Sequence, residues 1–170
     1  MQANLAKTIL RPDNHSLLLI DHQYLQMLTI RSHDASELIE HSVALVEAAA
    51  IFKVPMLTTT AFKERQNLVA PLAEATKAVK PFDRTTLNAW EDLRIVDWVE
   101  KTRRKKLVIT GRWTAVCVAM PVVGVGPAEP QGRHAVTRCT GTPSGSVSIP
   151  FPSGARRGRG GPCTPLRPQQ

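Results

Sequence analysis

Aromatic residues are scarce in this chain: 5% of 170 residues, with a single tyrosine. No stretch of 18 or more apolar residues occurs, which excludes a conventional membrane-spanning helix. Met1 to His15 lack an apolar core and a small-residue cleavage site, so the expectation is a protein without a secretory signal, located in the cytoplasm. Cysteine is limited to Cys117, Cys139 and Cys163. An odd count at wide spacing suits neither a disulfide framework nor a paired-cysteine zinc site. Glycine is almost missing from residues 1–120, where Gly111 stands alone, and the other nine lie in the last fifty. Those fifty hold nine of the thirteen prolines and no Lys, Asp, Asn, Tyr or Trp. Their six arginines face one acid and carry +5 of the net +8. The basic balance, with a pI near 9.9, is therefore not a property of one folded domain. The expected division is a domain over residues 1–121 and a Gly/Pro/Arg-rich tail over 122–170.

Ser16 to Ile20 is a continuous apolar run that fits a strand buried on both faces, as in a parallel sheet. Asp34, with Glu37 three residues on, predicts a capped helix to about Phe52 with Leu38, Ser42, Leu45 and Ala49 on one face. Met56 to Thr60 reads as a second strand. A short helix is expected around Leu72 to Val79. Asn88 can cap a helix with Glu91 three residues on, and Leu93, Ile95, Val96 and Val99 would face inward. Lys106 to Gly111 reads as another strand, and Val116 to Val123 as the start of a helix. Strands alternating with helices at this spacing predict an α/β fold with a parallel sheet. Functional groups then gather at the carboxyl ends of the strands, where Asp21, Thr58 to Thr60, and Gly111 to Cys117 fall.

The turn after the first strand, Asp21-His22-Gln23, has no glycine, which argues against a Rossmann dinucleotide site. Neither a GxSxG elbow nor a phosphate-binding GxxxxGK[ST] loop is present. Arg103 to Lys106 reads as a solvated helix end. Cys117 follows a strand and opens a helix, where free amides and the helix dipole would lower a thiol's pKa. Asp21 could take its proton, and Arg84, or secondly Lys80, could supply a cation. The plainer alternatives are a cysteine acting as a small buried hydrophobe and a strand-end aspartate capping a turn.

Four segments sharpen this. Leu17 to Gln23, Leu57 to Phe62, Asp83 to Asp92 and Leu107 to Pro121 together resemble the isochorismatase-like cysteine hydrolases, most closely their YcaC-like branch, over about residues 12–121. The resemblance implies a three-layer α/β/α fold with a mostly parallel sheet of six strands. It implies Asp21 as general base, Cys117 as nucleophile, and Arg84 at the position of the family's usual lysine. An arginine there serves electrostatics only, since it does not exchange its proton near neutrality. Gln23, Asn88, Trp90 and Thr114 match positions near the pocket; Asn88 is equally a helix cap and Trp90 equally packing. The resemblance places a cis peptide near Arg112 to Thr114, and oxyanion donors at the N–H groups of Thr114 and Cys117. Ala115 replaces a common glutamate. The metal-binding pattern of the nicotinamidase branch is missing from Thr58 to Phe62, so neither metal nor other cofactor is expected.

The resemblance fades after Met120. His134 to Thr137 is faintly like a fifth strand, but no periodic helix follows. The expectation is that C-terminal strands are missing, leaving the strand that ends at Gly111 as an exposed edge. The tail reads as a disordered linker, an arginine-glycine RNA-binding segment without aromatics, or an off-frame product of a GC-rich gene; composition favours the last. The functional expectation is a hydrolase of amides, imides or related C–N bonds, impaired by loss of its scaffold, acting on a small-molecule substrate. Intact relatives are expected to form homo-oligomers, and neither membrane nor nucleic acid is expected as a partner. The alternative is a non-catalytic remnant or binding module of the same fold.

Overall fold

The computed structural model describes residues 9–31, 33–124 and 134–137. Its centre is a parallel sheet of five strands in the order β3-β2-β1-β4-β5. The strands are β1 (His15–Ile20), β2 (Met56–Ala61), β3 (Phe82–Arg84), β4 (Lys106–Gly111) and β5 (His134–Thr137). β1 lies in the middle, with Leu18 level with Leu57 on one side and Ile109 on the other. Its run of leucines is buried on both faces because helices cover both. Leu18, Ile20, Leu57, Leu107 and Ile109 face one core, and Leu17, Leu19 and Val108 face the other.

The helices are α1 (Tyr24–Leu28), α2 (Ala35–Ile51), α3 (Ala70–Ala75), α4 (Leu93–Thr102) and α5 (Ala119–Gly124). Asp34 caps α2 as its position predicts, accepting from the N–H groups of Ser36 and Glu37 at 2.8 and 3.2 Å. The buried stripe of α2 is Leu38, Ser42, Val46 and Ala49, with Leu45 half-buried against the same core. Asn88 caps only a single 3-10 turn, Ala89–Glu91, and Asp92 caps α4 instead. The helix expected over Leu72 to Val79 is shorter and earlier. It begins as Pro71 enters the first turn, where a missing N–H costs nothing.

Two expectations at the C-terminal side change. β4 is not an edge, because His134 to Thr137 pairs with Lys106 to Ile109 in parallel register. The basic run after α4 is not simply solvated either. Arg104 donates to the Asp13 carbonyl, and Lys106 is buried with its Nζ 2.6 Å from the Ile9 carbonyl. These bonds tie the N-terminal segment to the start of β4. The remainder of the expected tail, 125–133 and 138–170, lies outside the described residues.

Candidate active site

Three strand ends meet at the carboxyl edge of the sheet. Asp21 follows β1, Arg84 ends β3, and Cys117 lies in a π-turn (Thr114–Val118) after β4. Strand alternation would place Asp21 on the α2 side with Leu17 and Leu19. Its backbone is instead left-handed, with φ 55°, and the carboxylate meets Cys117 in the opposite core. One oxygen, Oδ2, accepts from Arg84 Nη2 and from the Cys117 thiol, the latter at 3.2 Å. Arg84 Nη1 also donates to the carbonyls of Thr86 and Leu87, which fixes the loop after β3 around the guanidinium. Asp21, Arg84 and Cys117 are each about 3% exposed. The second carboxylate oxygen, Oδ1, and Arg84 Nε are buried without a hydrogen-bond partner among the described residues.

The π-turn has a local cause. Pro121 has no N–H for the Cys117 carbonyl, and its ring crowds the preceding turn. Helix spacing therefore widens at Cys117 before α5 resumes it. Gly111 packs tightly beside it: a Cβ there would sit 3.1 Å from Cys117 Cβ and 3.2 Å from the Ile20 carbonyl oxygen, so either neighbour would have to give way.

The electrostatics revise one expectation. Burial, then the Asp21 charge and the hydrogen bond to it, push the thiol pKa up rather than down; Arg84 opposes this. Cys117 is thus a protonated thiol held against a base. Its own N–H is bonded to the Trp113 carbonyl at 2.8 Å, so it is not a free oxyanion donor. Asp21 is raised above its ordinary 3.8 by burial, with Arg84 and the thiol lowering it in part. No cis peptide occurs among the described residues; Trp113 turns the chain with φ 66°.

The other predicted positions divide differently. Gln23 is fully buried, and its amide is used up on backbone: Nε2 donates to Ala61 and Gln66 carbonyls, and Oε1 accepts from Ala61 N–H. It clamps β1 to β2. Asn88 Oδ1 accepts from the Trp90 N–H at 3.0 Å, the cap reading. Trp90 packs against the Cys117-side core, with Gly124 closely approached to its ring. Thr114 opens the π-turn, and its side chain is outside the described set. Lys80 lines a separate cleft of about 750 Å³ with Tyr24, Thr60 and Lys63, which includes none of Asp21, Arg84 and Cys117. No group of three His, Cys, Asp or Glu among the described residues could hold a metal ion. Among the same residues no helix is long and apolar enough to cross a membrane.

A buried polar group that the motifs did not reveal lies on the α2 side. Arg112, fully buried, donates from Nη2 to the Leu38 carbonyl at 2.9 Å and to Ser42 Oγ at 2.8 Å. Burial lowers its pKa to about 10, so it stays charged near neutrality. His22, also buried, is held well below its ordinary 6.5 by burial and by the Arg112 charge. The signal available in the sequence was Ser42: a polar side chain in an apolar stripe needs a partner.

Comparison with known proteins places the chain in a family. The Isochorismatase domain model matches residues 15–125. The probable hydrolase YcaC of Escherichia coli (strain K12) is 32% identical over 113 residues, 64% of this chain and 53% of that protein. The chain thus spans about half the length of the curated relative it matches. The crystal structure of the Escherichia coli YcaC gene product, described as an octameric hydrolase of unknown specificity, superposes with a TM-score of 0.70 at 27% identity, covering 78% of this chain and 66% of that one. YcaC from Pseudomonas aeruginosa, solved with hexane-2,5-diol and covalent acrylamide, gives 0.69 at 28% identity, with 78% and 67% covered.

Proposed function

The chain belongs to the isochorismatase family, and from that premise we propose that it is a cysteine hydrolase of amides or related C–N bonds. The observation that carries this reading is the shared oxygen of Asp21, which accepts from both the Cys117 thiol and Arg84. A thiol with a raised pKa is a poor free nucleophile, but it transfers its proton readily to a base already in contact. As Sγ attacks the substrate carbonyl carbon, Asp21 takes the thiol proton. Arg84 remains cationic and stabilises the carboxylate before this transfer. The tetrahedral oxyanion is held by N–H groups at the start of the π-turn, Thr114 among them, since that of Cys117 is already bonded. The C–N bond then breaks and the leaving amine collects the proton from Asp21. Water, deprotonated by the same carboxylate, attacks the thioester and returns the thiol. The covalent acrylamide in the Pseudomonas aeruginosa relative supports a reading in which this fold presents a group that attacks electrophiles. By the same likeness, the substrate is a small molecule and the working form a homo-oligomer.

Ammonia release from a panel of small amides and imides tests the proposal. Cys117→Ala is expected to lower turnover at least about a thousandfold, the scale of losing a nucleophile. Undiminished turnover in that variant would overturn the assignment. The raised thiol favours, as a second reading, a binding module of the same fold. In that case the unaltered chain hydrolyses nothing in the panel, yet a ligand shields Cys117 from alkylation.

A further inference from the structure

Arg112 takes no part in the contacts given above for Asp21, Arg84 and Cys117. It is the residue directly after β4, its side chain is fully buried, and it points away from Cys117. Its backbone N–H reaches the Ile20 carbonyl, one residue before Asp21, at 3.3 Å. Its guanidinium grips α2 at two acceptors a turn apart, the Leu38 carbonyl and Ser42 Oγ. The next residue, Trp113, is anchored separately through its indole N–H to Thr29 Oγ1 at 2.7 Å, and its left-handed backbone launches the π-turn. The carbonyl of Trp113 then receives the N–H of Cys117. Five bonds thus hold the segment from Arg112 to Cys117: two to α2, one each to Ile20 and Thr29, and one within the turn. Both bonds to α2 leave one nitrogen of a planar, buried guanidinium, which fixes its direction as well as its distance.

We infer that Arg112 is a positioning residue, which sets the approach of Cys117 Sγ to Asp21 by locking the turn between them to helix α2. The inference rests on the hydrolase reading of that pair, but its test does not need turnover. A thiol in contact with a carboxylate ionises late, so the pH midpoint of its alkylation reports the contact. The charged groups facing the thiol are Asp21, which raises that midpoint, and Arg84, which lowers it. Iodoacetamide labelling of the full chain, resolved by peptide mass spectrometry to separate Cys117 from Cys139 and Cys163, gives this midpoint directly.

Asp21→Asn is expected to lower the midpoint by about one pH unit or more, because the repelling charge is gone. Arg112→Met is expected to lower it in the same direction, because the turn relaxes and Sγ leaves Asp21. The two shifts should not add: with Asp21→Asn in place, Arg112→Met should move the midpoint no further. Additive shifts would mean that Arg112 merely loosens packing around the thiol, and would overturn the inference. An unchanged midpoint in a folded Arg112→Met chain would overturn it as well. If that variant does not fold, Ser42→Ala, which removes one of the two acceptors of the guanidinium, enters the same cycle and is judged the same way. Loss of the hydrolase reading shows separately, as unchanged turnover in Cys117→Ala.

Discussion

Asp21 does two jobs with one oxygen, and its pKa decides when either is possible. Burial raises it above 3.8 while Arg84 holds it down. In its proposed role as general base it must be ionised, so activity should fall as pH drops through a value above that of an exposed aspartate. Arg84→Met removes the largest lowering influence, and the acid limb of the kcat/KM profile should then move to higher pH; an unmoved limb would separate Arg84 from the base. The positions of these residues were legible in the sequence, because strand ends can be placed from apolar runs. Their electrostatics were not. A thiol at a helix start reads as activated, whereas this one lies four residues from a proline that distorts the helix and directly against a carboxylate. The same holds for Gln23, whose backbone partners on β2 and in the following loop are invisible in the sequence.

Among the elements, β1, β2, β4 and α2 were readable because each has a strong pattern: continuous apolar runs, or a capped amphipathic stripe. The three-residue β3 and five-residue α1 are too short to show periodicity, and β3 is placed by pairing with β2. Yet β3 delivers Arg84, so an element invisible to pattern carries a third of the site. The junction of α5 with the 3-10 turn is tight enough to test. A Cβ at position 124 would lie 2.7 Å from Trp90 Cδ1 and 2.8 Å from its Cγ. Ring atoms held in a core cannot rotate aside, so Gly124→Ala should push α5 outward and cost about 1–3 kcal/mol. Chemical denaturation measures it; a cost under about 0.5 kcal/mol, the range of ordinary surface substitutions, would mean the contact is relieved freely.

At the scale of the whole molecule, five residues other than glycine hold a left-handed backbone among those described: Asp21, Lys53, Phe62, Arg103 and Trp113. They occupy the two ends of the sheet differently. Lys53 and Arg103 lie between a helix and the strand it feeds, after α2 and α4, and each gives its N–H to the preceding turn. Asp21, Phe62 and Trp113 lie at the carboxyl edge, around the proposed chemistry. Side chains in this conformation cost about 1–2 kcal/mol, and glycine, nearly missing from this stretch, would relieve most of that. Lys53→Gly and Arg103→Gly should therefore each raise stability by up to about 1 kcal/mol and leave alkylation of Cys117 unchanged. A melting temperature that falls in both variants would contradict this. The same substitution at Trp113 would also remove the indole bond to Thr29 Oγ1 and the ring's packing against the Cys117-side core, so it should lower stability despite the relieved backbone. A search for heat resistance would thus find glycine at one end of the sheet and keep the tryptophan at the other, because there the strained residue is itself part of what holds the turn.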